Sequence, residues 1–360
     1  MSNLNKAYDV IVIGAGVIGA SIVYHLSELK KYNVLLIEQD YPMAGTSGAT
    51  HACVNVHSKI PASYGEFSYY SAELYSFLER KIGDFEYRRT GSVHPFFSED
   101  DRDKALRLQE EQEKVGIRVD VLTRDEVLEK IPDATEELLG ATFSPLDGHL
   151  NPFRLIELYL QAAKRNGLST AYYHQVVDFK QANGGYHVFT NKGSFYSKYL
   201  VLAAGPWMKQ LGKLLHIDIP IRQMRGQLLV TEPLQPILNY AFGSMHQTEN
   251  GEILIGYSRE EFGLNRDTTL DMIQKTAAMA QYYLPSLSNT KIVRSFAGIR
   301  PVPEDGLPIL GEVPNQENLY IAATHSGVTL SPLVGTLITE LIAQGETSLP
   351  LNNYHIERFS

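Results

Sequence analysis

The sequence predicts a mixed α/β protein, α+β overall: a parallel-sheet domain with helices on both faces, joined to a second domain built on an antiparallel sheet. Three observations predict it. Tyr8 to Glu38 reads as a strand, a glycine-rich turn, a helix and a second strand in unbroken succession. Two further apolar runs, Lys198 to Gly205 and Leu319 to Ala323, recur far downstream, and the first is stopped by small residues. Between them, from Ile221 to about 295, the pattern changes to alternating strands. Continuous apolar runs suit strands buried on both faces of a parallel sheet, whereas alternation suits an antiparallel sheet.

The first stretch carries the most information. Val10 to Ile13 is apolar throughout, and Gly14-Ala15-Gly16-Val17-Ile18-Gly19 follows at once. Gly14, Gly16 and Gly19 stand where a tight turn, a close approach to pyrophosphate and close helix–strand packing each exclude a side chain. Ile18, Ile22, Leu26 and Leu29 share one helix face, and the start of that helix, from Val17 and Ile18, offers free N–H groups and a positive dipole end to a phosphate. Glu38, with Gln39 after it, ends the second strand nineteen residues past Gly19. A carboxylate there accepts hydrogen bonds from a ribose 2′-OH and repels a 2′-phosphate, which disfavours NADP. Together these features predict a Rossmann-type FAD/NAD(P)-binding domain.

Composition bounds the rest. A 360-residue chain is long enough for two domains. Its 44% hydrophobic and 20% charged residues describe a globular protein, and a net charge of −9 without basic runs argues against nucleic acid. One cysteine, Cys53, excludes an internal disulfide and suits a reducing, cytoplasmic setting. The first seven residues lead straight into the first strand, leaving no room for a signal peptide. No apolar run approaches the ~20 residues of a spanning helix, so no transmembrane segment is expected, and peripheral contact with the inner face of a membrane stays open.

After the second strand, Gly45-Thr46-Ser47-Gly48-Ala49-Thr50 is small and hydroxyl-rich, suited to a second cofactor contact. Cys53 reads as a buried filler. His51 and His57 read as ordinary hydrogen-bonding histidines, with a flavin tether or a substrate contact as alternatives. Residues 64–82 are predicted helical, with Phe67, Tyr70, Leu74, Phe77 and Leu78 on one face. The block 86–140 has a strand–turn–strand, a charged helix over 99–116 and a short helix capped by Thr123 and Glu126. It has no parallel-sheet pattern and looks inserted. A helix over 153–166 with Gly167 beyond it, the strand Gln175 to Phe179 and a hairpin around Asn183-Gly184-Gly185 follow. Ala203, Ala204 and Gly205 end the next strand and bring backbone against the cofactor again. Leu270 to Tyr283 is a helix, and the last helix is expected near Pro332 with Ser331 as cap and Gly345 as its end. The expected division is 1–85, 141–220 and 296–360 for the nucleotide domain, and 86–140 with 221–295 for the substrate domain.

A chain that returns at its C-terminus to a glycine-bearing turn suits an extended FAD, whose ring system reaches beyond the first strand–helix–strand unit. Val12 to Gly19, Ala203-Ala204-Gly205-Pro206-Trp207, Arg225-Gly226-Gln227, Gly298-Ile299-Arg300-Pro301 with Asp305-Gly306-Leu307-Pro308, and Ala323 to Pro332 carry a resemblance. Over essentially its full length the sequence resembles the D-amino acid oxidase-like family of FAD-dependent oxidoreductases, which includes glycine and sarcosine oxidases and the subunits of hydrogen cyanide synthase and hydroxyproline dehydrogenase. The resemblance implies that Gly14, Gly16, Gly19 and Glu38 take the ADP half of FAD. It implies that Thr46 and Ser47 take the pyrophosphate and flavin side, and that Val177, or its neighbour Val176, presents backbone to adenine. Ser326, Gly327, Val328 and Thr329 would approach the pyrimidine edge of the flavin. It implies a noncovalent FAD, since the C-terminal region has no cysteine to tether it. A histidyl bond at His51 is the alternative.

The reaction expected is oxidation of the CH–NH bond of a small amino acid to an imine, with Arg300 anchoring the carboxylate and His325 beside it. Arg225 and Arg259 are the next candidates, and a structural ion pair of Arg300 with Glu304 or Asp305 is the competing reading. Other readings are a 2-hydroxy acid dehydrogenase of the same fold with His325, His246 or His51 as base, an FAD-binding subunit of a larger complex, and an NAD-dependent dehydrogenase. Oxygen, a quinone or a partner subunit are the acceptors the sequence leaves open, and homo- or hetero-oligomers are both compatible with it.

Overall fold

A computed structural model of the protein describes residues 7–256 and 258–359. Its first sheet runs in the order Ile309–Glu312, Leu319–Ala323, Gly193–Leu202, Ala7–Ile13, Val34–Ile37, Ser169–Ala171. All neighbours pair in parallel except Ile309–Glu312, which pairs antiparallel with Leu319–Ala323. The hairpin Val176–Ala182 and Gly185–Thr190 joins this sheet through the first half of Gly193–Leu202. Val10 to Ile13 of strand Ala7–Ile13, and all of Val34–Ile37, are apolar and buried because both faces are covered. Val10 and Val12 face one hydrophobic cluster, with helices Val17–Glu28, Ala62–Ile82, Pro152–Arg165 and Gly327–Gln344. Ile11 and Ile13 face another, with Met208, Leu211 and the hairpin.

Register brings the parallel strands to a common edge. Ile13 lies beside both Ile37 and Leu202, and Leu202 beside Ile321. The segments beginning at Gly14, Glu38, Ala203 and Thr324 therefore leave the sheet at one place, the carboxyl edge where open α/β sheets bind ligands.

The second sheet runs Ile292–Pro303, Ile221–Thr231, Ile253–Gly256, Met245–Gln247, Ala241–Phe242, Ser92–Phe96, Gly140–Ser144, Asp120–Thr123. It is antiparallel except where Ala241–Phe242 meets Ser92–Phe96. The block 86–140 does contribute here. The expected limits at 140/141 and 295/296, however, cut through Gly140–Ser144 and Ile292–Pro303. Both strands pair wholly within this sheet, so the apolar character of Phe296 to Val302 marks a strand of the second sheet rather than a return to the first.

Two helices differ from expectation. On Ala62–Ile82, Tyr70 and Phe77 are exposed, and the buried face is Tyr64, Phe67, Ser71, Tyr75 and Leu78. Small and hydroxyl residues fill it because it packs closely on the last helix. That helix begins at Gly327, not Pro332, with Ser326 before it. Pro332 cannot donate to the carbonyl of Val328, four residues back, and its presence inside a helix ordinarily costs about 3 kcal/mol. Here the Tyr75 hydroxyl donates to the Val328 carbonyl, and Ser21 Oγ donates to Ser331 O at 2.6 Å. Neighbouring hydroxyls thus satisfy carbonyls along the interrupted turn. By length and composition Gly327–Gln344 could cross a membrane, yet 67% of it is buried within the protein.

Candidate active site

The four segments that leave the carboxyl edge enclose a cleft of about 440 Å3. Gly14 forms its floor at φ +108°, and a Cβ there would lie 2.5 Å from the Ala203 carbonyl oxygen. Only glycine fits, on both backbone and contact grounds. Gly19 is off the cleft: a Cβ on it would strike the Gly14 carbonyl, so its task is to let the helix sit on the turn. Gly16, Val17 and Ile18 line the cleft. The helix after them has no side-chain cap of its own; Ser47 Oγ accepts from Val17 N–H at 3.0 Å. A Cβ on Gly16 would meet that same oxygen at 3.1 Å.

Glu38 ends the second strand with its carboxylate held in place. Oε2 accepts from Ala15 N–H at 2.8 Å and Oε1 from Asp40 N–H at 3.0 Å. Burial raises its pKa above the ordinary glutamate value. It is the one acid among the described residues lining the cleft, with Gln39 beside it. On the hairpin strand Val176–Ala182, Val177 is half exposed and off the cleft, while Val176 lines it, as alternation of side chains along a strand requires. Thr46 donates to the Ile299 carbonyl, tying the small-residue loop to the second sheet. Ala204, Gly205, Ser326, Gly327, Val328 and Thr329 all line the cleft. Thr329 Oγ1 accepts from Asn55 N–H at 3.0 Å and donates to the Cys53 carbonyl at 3.4 Å.

The opposite end is cationic. Arg300 lines the cleft from the second sheet, and its Nη1 donates to the Ser258 carbonyl at 2.8 Å. It makes no ion pair among the described residues. The competing reading fails at both its named partners: Asp305 is paired with Arg358 at 2.7 Å, and no ion pair joins Arg300 to Glu304 among the described residues. Desolvation lowers the Arg300 pKa, and the nearby Arg259 charge lowers it further. Arg225, a fallback candidate, is buried and committed, with Glu260 at 2.8 Å, Asn265 at 2.9 Å and the Phe262 ring against its face.

Lys59 was missed by the sequence reading. It is buried, lines the cleft, and donates from Nζ to Ser326 Oγ at 2.7 Å. Desolvation pulls its pKa down to about 8, opposed by Asp147. No carboxylate pairs with it among the described residues, and nothing local to Ser58-Lys59-Ile60 announces a buried ammonium. His325 opens onto the same end. Desolvation lowers its pKa, to about 3; the open mouth of the cleft tempers that contribution, but Lys59, Arg300 and Arg259 push the same way. The imidazole is therefore neutral near pH 7.

The sequence profile of the FAD dependent oxidoreductase family matches residues 9–341. The chain belongs to that family. It is 30% identical to the hydrogen cyanide synthase subunit HcnC of Pseudomonas protegens, over 99% of this chain and 97% of that one. It is 27% identical to the glycine oxidase of Geobacillus kaustophilus, over 99% and 98%. The crystal structure of that organism's glycine oxidase superposes with a TM-score of 0.92 at 26% identity, covering 97% and 98%. The L-proline dehydrogenase of P. horikoshii superposes with 0.92 at 25% identity, covering 99% and 98%.

FAD is thus the cofactor of this family member, and the cleft fits it. The floor is cleared of side chains at Gly14, a helix N-terminus with no side-chain cap of its own faces in, and the carboxylate of Glu38 is already oriented by two backbone N–H groups.

Proposed function

We propose that this enzyme oxidises the CH–NH bond of a small amino or imino acid to an imine, with the substrate carboxylate held by Arg300. The observation that carries the proposal is a desolvated guanidinium in the cleft with no acid beside it. A buried cation without a counter-ion is costly, and an anionic ligand removes the cost. The planar fork donates to both carboxylate oxygens, fixing tilt as well as position. Glycine oxidase, opine oxidase and sarcosine oxidase subunits among the relatives support a substrate of this class.

Gly14, Gly16, Val17, Ile18, Glu38 and Gln39 would hold the ADP half of FAD, with Val176 replacing Val177 against adenine. Thr46, Ser47, Ala204 and Gly205 would lie along the middle. Ser326, Gly327, Val328 and Thr329 would lie at the flavin, where uncapped N–H groups stabilise negative charge. Bound FAD supplies the two-electron acceptor for the substrate Cα–H bond. The chain's own task is to present a neutral amine. Arg300, Lys59 and Arg259 disfavour the ammonium form of a bound substrate, so its proton is lost to solvent, while His325, held neutral by the same charges, adds no further cation beside it. Orientation alone is worth roughly 7–11 kcal/mol in such reactions. Both ring nitrogens of His51 are engaged, with Cys53 Sγ and the Leu254 carbonyl, which supports a noncovalent FAD. The two sheets, rather than the chain segments first expected, are the natural units of a nucleotide domain and a substrate domain. A partner subunit as electron acceptor is supported by relatives that are themselves subunits.

The test is anaerobic bleaching of the flavin by D- and L-amino acids, proline, glycine and N-methylglycine, with 2-hydroxyglutarate alongside. Bleaching by the hydroxy acid and by none of the amines would overturn the proposal.

A further inference from the structure

Three imidazoles and the chain's one thiol meet at the seam between the two sheets. His51 precedes the short strand Cys53–Val54, His149 lies on the strand paired with it, and His246 lies on Met245–Gln247 of the second sheet. The His246 ring stands edge-on to His51 at 4.6 Å between centroids and stacks on His149 at 4.8 Å. His51 and Cys53 also line the cleft.

From these contacts we infer that His51, Cys53 and His246 form a binding site for a zinc-class divalent cation, with a fourth position left open. The ligand atoms of these three residues already lie within 4.8 Å of one another. A tetrahedral zinc, at about 2.3 Å to sulfur and 2.0–2.1 Å to nitrogen, sets its ligand atoms roughly 3.5 Å apart, so the widest pair must close by about 1.3 Å and the 2.9 Å His51–Cys53 pair must open by about 0.6 Å. The tautomer of His51 is set for it. Its Nε2 lies 3.1 Å from the Leu254 carbonyl, which can only accept, so Nε2 carries the hydrogen. Nδ1 then keeps its lone pair, and it points at Cys53 Sγ, 2.9 Å away. A ligating histidine is ordinarily oriented in this way by a carbonyl on its far nitrogen.

His246 supplies an independent observation. It is 2% exposed, and its Nδ1 has no hydrogen-bond partner among the described residues; nor has Nδ1 of His149 beside it. Buried polar nitrogens left bare are rare and call for an occupant. The surrounding charges are mixed: Arg300 faces His51, Arg88 and Glu249 face His149, and Asp147 and Lys59 face Cys53. A cysteine ligates as its thiolate, so binding transfers the Cys53 proton to solvent. The cation's charge then falls by one beside Arg300. Because two ligands line the cleft, occupancy also closes part of the substrate end.

The experiment uses the FAD-loaded protein, stripped with a chelator and titrated with Zn2+ or Cd2+ alone. One equivalent is expected, with a thiolate–cadmium charge-transfer band and release of one proton. Cys53→Ser and His246→Gln should each weaken binding by more than about 100-fold, beyond the 10–100-fold typical of outer partners. The exposed His216→Gln should leave it unchanged. Wild-type protein also decides alone: saturating Zn2+ must slow maleimide labelling of the chain's one cysteine. Absence of that protection, no cadmium–thiolate band, or zinc binding untouched by Cys53→Ser would each overturn the assignment.

Discussion

At the glycine-rich end of the cleft the contacting atoms are mostly backbone, from Gly14, Gly16 and the start of helix Val17–Glu28, with Glu38 as the one carboxylate. At the other end they are side chains, Arg300 from the second sheet and Lys59 and His325 from loops. The first end is built from residues 14–38 of one strand–helix–strand unit, the second from positions more than 260 residues apart, Lys59 and His325. Backbone geometry tolerates no added atom, whereas side chains can re-aim. The two ends should therefore fail differently, the first by losing the cofactor and the second by losing substrate affinity.

Gly14→Ala tests the rigid end and carries the largest expected effect. The residue would need φ near +108° and its Cβ would sit 2.5 Å from the Ala203 carbonyl oxygen, an atom fixed in the sheet exit. A cost above about 4 kcal/mol is expected, divided between folding and FAD binding. Purified protein should be nearly colourless. Normal FAD content in the variant would show that the turn is not held as rigidly as the contacts require.

The same contrast explains what was legible in the sequence. The first unit is local, so spacing alone places Gly14, Gly16 and Glu38, and Gly19 against the turn. Arg300 was legible from its motif, but its lack of a partner was not, because that depends on Asp305 being taken by Arg358, 53 residues on. Lys59 was illegible because desolvation of one lysine leaves no trace in its neighbours. The sequence puts the helix start at Pro332 rather than Gly327 because proline favours the first turn of a helix, and the hydroxyl of Tyr75 that overrides it comes from another helix. Alternation along Val176–Ala182 identifies two faces without saying which one meets the cleft, so the sequence leaves Val176 and Val177 both open, and the structure puts Val176 on the cleft.

Arg300→Ala tests the adaptable end. A loss of about 2–5 kcal/mol in substrate binding is expected, read chiefly as a higher KM, with FAD content and melting temperature held. Arg300→Lys keeps the charge without the fork, and should fall between wild type and alanine. Loss of FAD with unchanged KM in the surviving protein would move the anchor elsewhere, and Arg225 is already committed to Glu260.

Lys59 sharpens the comparison through pH. Its pKa is about 8 in the folded protein against an ordinary 10.5, chiefly by desolvation. Between those values the unfolded chain holds more protons than the folded one, so stability rises with pH from 8 to 10.5. Below pH 8 the buried charge costs up to roughly 3 kcal/mol, which Lys59→Met should recover. Urea unfolding of the two proteins across that window should converge toward pH 10.5. Parallel curves would mean that the ammonium is not desolvated.

Gly226→Ala is the mildest change and joins the two ends. Gly226 lies on Ile221–Thr231, beside Gly298 in register, and an added Cβ would run into the Arg300 guanidinium itself. This explains the glycine in Arg225-Gly226-Gln227 without any turn or unusual backbone: it is the floor on which Arg300 lies. Because the obstacle is the end of a flexible side chain, Arg300 can shift rather than the sheet, and the cost should sit near the low end of overpacking, about 1 kcal/mol. The expected result is a KM about fivefold higher, since 1.4 kcal/mol is tenfold, with kcat, FAD content and melting temperature near wild type. The decisive comparison is the double variant. If Gly226 acts only by seating Arg300, adding Gly226→Ala to Arg300→Ala should cost nothing further, because the two residues share one contact and their effects cannot add. An additive loss in the double variant would show that Gly226 meets the ligand directly, and that the cationic end, like the glycine-rich one, is shaped by bare backbone.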